Sequence, residues 1–177
     1  MIHTILLSIA IILALLLIVA ALMKKEYTIS SEIVINVHKD KAFNFVKLLR
    51  NQERYSKWVM EDPNIKINYQ GTDGTVGFTS SWTSEVKNVG VGKQEITNII
   101  EGKQYNVCIT FEKPFKGVST AITTTETVSE NQTKVCTTFF TKTPFPMSIM
   151  IPIIKKMLKK DMDFNMQILK RVLENQL

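Results

Sequence analysis

The stretch PIIKKMLKKDMDFNMQILKRVLEN, residues Pro152–Asn175, decides the fold because it predicts one long amphipathic helix. Pro152 falls in the first helical turn, where its missing N–H costs nothing. Twenty-four residues of helix rise about 36 Å, enough to cross a whole sheet. The residues of the predicted buried stripe recur every three or four positions: Ile154, Met157, Leu158, Met162, Asn165, Ile168, Leu169, Val172 and Leu173.

The residues before this helix predict strands. Thr28–Val37 alternates apolar and polar residues, which is typical of a half-buried strand. Asp40 then predicts the cap of a helix that runs to about Arg50. Asn51 predicts the cap of a second short helix that ends near Trp58, before the Asp62-Pro63 pair.

From Ile65 to Thr143 short runs rich in Val, Ile, Thr and Phe alternate with turn residues, which predicts an antiparallel meander of about six strands. Together with the first strand this gives an α+β fold, a seven-stranded curved antiparallel sheet around the long C-terminal helix. Two short helices separate the first two strands. One helix about 10 Å wide cannot fill the concave side of so broad a sheet. The sequence therefore predicts a space between them that can hold a ligand.

The N-terminal run predicts a membrane anchor. Ile5–Met23 contains no charged residue and only Ser8 is polar, and its 19 residues rise about 28 Å as a helix. The alternative is a cleaved signal peptide, which has a basic start, a shorter apolar core and a small-x-small cleavage site. We assign residues 1–25 to a single transmembrane helix and residues 28–177 to one domain. Because Lys24 and Lys25 follow the span and no Lys or Arg precedes it, we expect the domain to face the cytoplasm.

Composition argues against several classes of function. The net charge of +6 is mildly basic, with no basic run interleaved with aromatic residues, so nucleic acid is not an expected partner. The two cysteines, Cys108 and Cys136, lack metal-ligand spacing; we interpret them as reduced packing residues, and a disulfide remains an alternative. The histidines, His3 and His38, predict no metal or catalytic site, and no cofactor is expected.

Period-2 alternation along the predicted strands gives a set of inward-facing candidates for lining the space. Three of them, Ser80, Gln94 and Thr137, are the predicted polar contacts for a ligand. The alternative for each residue is ordinary core packing. With the helix residues, the candidates are Phe78, Ser80, Trp82, Gln94, Ile96, Val107, Ile109, Phe111, Val135, Thr137, Phe139, Met157, Met162 and Ile168.

The segment Met147–Lys160 mixes isoleucines with lysines, which is typical of a surface that touches anionic lipid. The alternative is a buried helix start with a solvated charged face. The membrane-contact candidates are Ile149, Met150, Ile151, Lys155, Lys156, Lys159 and Lys160.

Several motifs resemble, in order and spacing, the SRPBCC superfamily, also called START-like, Bet v 1-like or helix-grip. The motifs are Tyr55-Ser-Lys-Trp58, Asp62-Pro63, Gly74-Thr-Val-Gly77, Trp82, Gly90-Val-Gly92, Ile96, Phe111-Glu-Lys-Pro-Phe-Lys-Gly117, and the ending Asp163-Phe164, Leu169-Lys170 and Leu173-Glu174. The resemblance covers about residues 28–175 and is nearest to the bacterial polyketide cyclase/dehydrase and lipid transport branch. It implies a helix-grip fold with a hydrophobic tunnel, but no particular reaction. This chain has Asn165-Met166 where the family often has Gly, which implies a narrower tunnel.

The sequence thus predicts a membrane-anchored protein that binds a hydrophobic or lipid-like small molecule rather than one that catalyses a reaction. Two alternatives remain at this point. A cyclase or dehydratase would need a carboxylate, His or Tyr, with Tyr105 the candidate, in the cavity with a perturbed pKa. A co-chaperone-like interaction module would need an exposed apolar patch. The oligomeric state and the ligand are not predicted.

Overall fold

The computed structural model describes residues 1–175. Its helices are α1 (Ile2–Leu22), α2 (Lys39–Val46), α3 (Lys57–Glu61) and α4 (Ile151–Glu174), with 3₁₀ helices at Leu49–Arg54 and Met147–Met150. Its strands are β1 (Glu26–Ile35), β2 (Lys66–Gln70), β3 (Thr79–Thr83), β4 (Val91–Ile100), β5 (Gln104–Lys113), β6 (Gly117–Ser129) and β7 (Gln132–Lys142). The predicted order of strand, short helices, six strands and long helix is confirmed.

The seven strands form one antiparallel sheet in the order β1-β7-β6-β5-β4-β3-β2. The first strand, β1, pairs with the last strand, β7, with Glu26 opposite Lys142 and Ile35 opposite Thr133. Glu26, Lys142 and the β5–β6 turn lie at the same end of the sheet, where the strand ends meet α1. We call this end of the strands the proximal edge. The opposite edge is the distal edge.

Helix α4 crosses the concave face and is fixed to β1 by polar contacts. Ser31 donates to Asp163 (2.5 Å), and the Asn36 amide donates to Glu174 (2.8 Å). Glu174 therefore lies near the distal edge and the start of α4 near the proximal edge. This is the helix-grip fold that the sequence predicts.

The distal half of the bowl is solidly packed. Side chains from the ends of β1 and α4, from α2 and from the first 3₁₀ helix meet there in one buried cluster. Its fully buried members include Ile35, Val46, Leu49, Ile96, Leu169 and Leu173.

Three predicted helix boundaries are wrong. His38, not Asp40, caps α2, since its Nδ1 accepts from the Asp40 amide (3.3 Å). The helix also stops at Val46 instead of Arg50, because Asp73 accepts from the amides of the next 3₁₀ turn. Asn51 lies inside that turn and donates to the Phe45 carbonyl (2.8 Å), so it caps no helix.

Helix α1 is joined to the proximal edge by residues 23–25 and by one buried contact. Ala20 is buried against the second 3₁₀ helix, where the Ser148 hydroxyl donates to the Ala20 carbonyl (2.6 Å). Thr143 at the end of β7 also donates from its amide to the Lys25 carbonyl (2.9 Å). Among residues 1–175, α1 is the one helix long and apolar enough to cross a membrane, a test that an N-terminal signal sequence also passes.

Candidate functional site

A cavity of about 300 Å³ lies between the sheet and α4. Its walls come from β2–β7, from α3 and the 3₁₀ helix before it, and from one face of α4. Most of the lining is apolar, with a few hydroxyl and amide groups. This size and lining are typical of small-molecule sites.

The cavity opens toward the proximal edge, as the exposure of the inward side chains indicates. On β5, Tyr105 and Val107 are buried, whereas Ile109 and Phe111, nearer the proximal edge, are partly exposed. On β7, Val135 is fully buried and Phe139 is partly exposed. Solvent therefore reaches the inward face from the side where α1 enters.

Ten of the fourteen predicted candidates line the cavity. The strands contribute nine of these ten and α4 contributes one. The ten are Ser80, Trp82, Gln94, Val107, Ile109, Phe111, Val135, Thr137, Phe139 and Met162.

Four predicted candidates do not line the cavity. Phe78 and Ile96 lie in the packed distal core, 1% and 0% exposed, with Phe78 stacked on Tyr69. Met157 is 53% exposed, and Ile168 lies outside the lining. At about 100° per residue, Met157 points about 120° and Ile168 about 100° away from the line through Leu158, Met162 and Leu169. The predicted stripe was wider than the face that packs.

The mouth holds an aromatic wall that depends on a glycine. The Trp82 indole donates to the Val89 carbonyl (3.1 Å) and meets Phe111 edge to face, with centroids 6.1 Å apart. Gly92 lies opposite Trp82 in β4, where a Cβ would be 2.6 Å from both the Thr110 carbonyl oxygen and the Trp82 ring. A register shift typical of a β-bulge lies between Val91 and Gly92.

The deep end of the cavity is lined by hydroxyl groups. Tyr105, Thr123 and Thr137 lie in register on β5, β6 and β7, and Tyr55 faces them from the segment before α3. Burial raises the pKa of Tyr55 well above its ordinary value, with Tyr105 adding to the rise, and burial also raises the pKa of Tyr105. Both phenols therefore stay neutral, which suits hydrogen-bond donation rather than the base catalysis that a cyclase-type alternative could use.

Polar contacts join α3 to α4 beside the cavity. Lys57 Nζ lies 2.5 Å from Asp161 Oδ1, and the Lys57 amide donates to Asn165 Oδ1 (2.7 Å). These contacts place Trp58 and Val59 in the lining. Asn165 and Met166 both line the cavity.

Sequence reasoning missed part of the lining. The missed residues come mainly from the helical segments and from β6, whose inward face is small and polar. They include Gln52, Tyr55, Trp58, Val59, Ala121, Thr123 and Met166. Leu158, Asn165 and Leu169 were predicted in the buried stripe of the C-terminal helix but not as lining residues. The pairing of Thr123 with Tyr105 and Thr137, which places it in the lining, is visible only in the structure.

The predicted membrane-contact residues divide into two groups. Met150 is 42% exposed, Ile149 is half-buried, and Lys155, Lys156, Lys159 and Lys160 are exposed. Ile151, at the first turn of α4, is buried, 6% exposed, so its assignment to a membrane surface is wrong. Lys159 pairs with Asp163.

The described residues 1–175 hold no group of three or more His, Cys, Asp or Glu placed to bind a metal ion. Cys108 and Cys136 are free thiols, both partly buried.

No protein-family model matches the sequence, and no curated protein shows significant sequence similarity to it. Solved structures are similar in fold. Norcoclaurine synthase from Thalictrum flavum, in complex with dopamine and hydroxybenzaldehyde, is 15% identical with a TM-score of 0.63, covering 84% of this chain and 87% of that one. The Aha1 dimer from Colwellia psychrerythraea is 18% identical, TM-score 0.59, covering 84% and 96%. Ara h 8.0201 is 16% identical, TM-score 0.52, covering 81% and 98%. These similarities establish the shared Bet v 1-like, helix-grip fold.

Proposed function

We propose that this protein binds a hydrophobic or amphipathic small molecule, lipid-like in character, in the cavity between the sheet and α4, and that α1 anchors it in a membrane. The observation that carries the proposal is the largely apolar cavity of about 300 Å³ that opens at the edge where α1 enters. A norcoclaurine synthase of the same fold holds two small molecules, which supports ligand binding by this architecture. We also propose that the protein belongs to the polyketide cyclase/dehydrase and lipid transport branch.

The cavity suits such a ligand energetically. Burying a chain of about ten methylenes supplies about 8 kcal/mol before the costs of association. The anchor adds to this by holding the mouth near the membrane, where an apolar ligand is concentrated. A carrier of modest affinity is therefore sufficient for loading from the bilayer.

We infer that the domain lies on the cytoplasmic side and that its proximal edge rests on the lipid surface. Three residues connect α1 to β1, so the proximal edge lies within about 14 Å of the end of α1. Phe115 in the β5–β6 turn is 62% exposed and stands between Lys113 and Lys116. Residues 143–160 contain four lysines and no acidic residue. We call these residues of the proximal edge the rim. Their positive charge is complementary to the negative charge of an anionic leaflet.

The binding function is tested by native mass spectrometry of the detergent-purified full chain. We expect a co-purified apolar species at a stoichiometry near one. Ala121→Phe fills the cavity, because Ala121 lies on its wall between Val107 and Phe139, and should remove the species. Thr120→Phe, one residue along on the opposite face of β6, is the matched control and should retain it. A wild-type protein that never carries such a species, even after incubation with lipid extract, refutes the function.

The membrane contact is tested separately by spin-label depth measurements on the full chain in nanodiscs containing anionic lipid. Labels replace Ile12, Phe115 or Val128 in a background with Cys108→Ala and Cys136→Ala. We expect the label at 12 in the hydrocarbon, the label at 115 at headgroup depth, and the label at 128, on the distal side, in water. If the label at 115 is exposed to water while the label at 12 is in the hydrocarbon, the contact of the rim with lipid is refuted. If the label at 12 is exposed to water, the membrane anchor is refuted.

A further inference from the structure

We propose that the deep end of the cavity binds an uncharged hydrogen-bond acceptor of the ligand, such as a ketone, ester or alcohol oxygen, through the hydroxyls of Tyr55, Tyr105, Thr123 and Thr137. The ligand class is then a neutral amphipath whose polar end enters first. This inference rests on the proposed function and specifies the chemistry of the same cavity.

The four hydroxyls form a connected row, which we call the hydroxyl row. Thr123 and Thr137 hydrogen-bond across β6 and β7 (2.9 Å). Tyr105 lies opposite Thr123 in the register of β5 and β6, and the phenols of Tyr55 and Tyr105 interact with each other. All four residues line the cavity, and the Tyr105 side chain is 97% buried within the domain (3% exposed). The row is therefore fixed by strand register at three positions and by the pre-α3 segment at the fourth.

A hydrogen count shows that the hydroxyl row has a donor to spare. Four hydroxyls carry four hydrogens, and a linear row of four makes at most three bonds within itself. Within residues 1–175 these hydroxyls have no further hydrogen-bond acceptor. At least one O–H is thus left to donate into the cavity. An acceptor atom on the ligand satisfies it.

The lining favours a neutral acceptor over an anion. No Lys, Arg or His is among the lining residues within the described part of the chain. The one acidic lining residue, Glu53, accepts a hydrogen bond from Tyr69 and would repel a carboxylate. Placing an ionised group in such a site requires removing it from water with no opposite charge to compensate. A fatty acid anion or a phosphate is therefore the wrong chemistry for the deep end.

Both tryptophans of the sequence, Trp58 and Trp82, line the cavity, so intrinsic fluorescence of the full chain in nanodiscs reports occupancy without a label. Three probes of similar length are compared at pH 8: undecane, 2-undecanone and undecanoate. We expect 2-undecanone to bind about threefold to tenfold more tightly than undecane, which corresponds to one net hydrogen bond. Undecanoate should bind at least about tenfold more weakly than the ketone. The cavity-filled Ala121→Phe protein gives the signal due to the bilayer alone.

The hydroxyl row is tested by isosteric variants. Tyr105→Phe removes the most deeply buried hydroxyl of the row and should reduce the preference for ketone over undecane. Thr137→Val removes a hydroxyl at the other end of the row and should also reduce the preference, which keeps the test valid if one variant fails to fold. Tyr27→Phe is the control, because its hydroxyl pairs with Thr143 away from the cavity lining (3.1 Å).

The outcomes separate this inference from the proposed function. If wild type binds undecane and ketone equally, or binds undecanoate best, the neutral-acceptor assignment is overturned while a hydrophobic binder remains. A ketone preference that survives in the Tyr55→Phe/Tyr105→Phe protein overturns the role of the row. If no probe produces a signal beyond that of Ala121→Phe, the binding function itself fails.

Discussion

The ion pair between Lys57 and Asp161 should be worth more than any surface pair of this protein, since it attaches α3 to α4 at the cavity wall. The Asp161 side chain is 10% exposed and that of Lys57 is 38% exposed, with 2.5 Å between the charged atoms. Breaking a fully buried pair costs about 3–5 kcal/mol, and an exposed pair is worth about 0–1 kcal/mol. Because Lys57 keeps partial access to water, we expect a coupling energy of about 1–2 kcal/mol.

A double-mutant cycle measures this coupling. The free energy of unfolding is compared for wild type, Asp161→Asn, Lys57→Met and the double variant in detergent. The matched control is the cycle on Glu26 and Lys142, whose side chains are 70% and 60% exposed at 3.2 Å, for which we expect at most about 0.5 kcal/mol. For a domain of about this size, 1–2 kcal/mol lowers Tm by about 2–8 °C.

The same variants also test the role of α3 in the cavity wall. Because Trp58 and Val59 line the cavity, a loosened α3 should increase the rate of probe exchange in Asp161→Asn but not in Glu26→Gln. The reasoning is refuted if the Lys57–Asp161 coupling equals that of the exposed pair. It is also refuted if coupling is large but probe exchange is unchanged, since α3 would then not gate the cavity.

Three further outcomes are expected. Burial raises the pKa of Tyr55 and Tyr105, so the folded state keeps protons that the unfolded chain releases above about pH 10. The free energy of unfolding should therefore be constant below pH 10 and fall above it, and it should fall less in the Tyr55→Phe/Tyr105→Phe protein. Denaturant titrations from pH 8 to 11.5 measure this. Gly92→Ala should cost about 1–3 kcal/mol and shift tryptophan emission, because its Cβ meets the Thr110 carbonyl at 2.6 Å, whereas Gly117→Ala, with nothing within 4 Å, should not. A cysteine at Val128 should resist a membrane-impermeant maleimide in intact cells and react after lysis if the domain is cytoplasmic; labelling of intact cells would contradict that orientation.

The sheet was predictable where its inward face is apolar. Val107, Ile109 and Phe111 alternate with polar residues on β5, so period 2 identifies their face. On β6 the inward residues Ala121 and Thr123 are small or polar, and hydrophobic alternation there is too weak to mark a face. The predicted lining therefore omitted β6 entirely.

The helical part of the site depends on contacts that sequence spacing does not contain. Lys57 contacts Asp161 and Asn165, 104 and 108 residues away, and these contacts bring Trp58 to the cavity. On α4 the predicted stripe included Met157, since methionine is apolar, but the segment's inward line passes through its neighbour Leu158. A helix that packs against a concave sheet with one narrow face needs fewer apolar positions than this sequence supplies.

The presence of the cavity between the sheet and α4 favours a protein that binds a ligand there. Core side chains such as Val46 of α2 and Leu49 of the first 3₁₀ helix fill the distal half of the bowl. At the proximal half α4 turns lysines outward, and α3 and the 3₁₀ helix before it complete the cover. An unfilled space of about 300 Å³ forfeits van der Waals contacts that a packed interior would make, and this loss of stability grows with the volume left open. Larger residues at Ala121 or Thr137 would recover much of this without disturbing the strands. A chain that served only as a tethered scaffold gains nothing by omitting them, whereas a binding protein needs the space, so cavity-filling substitutions should raise stability while they remove the ligand.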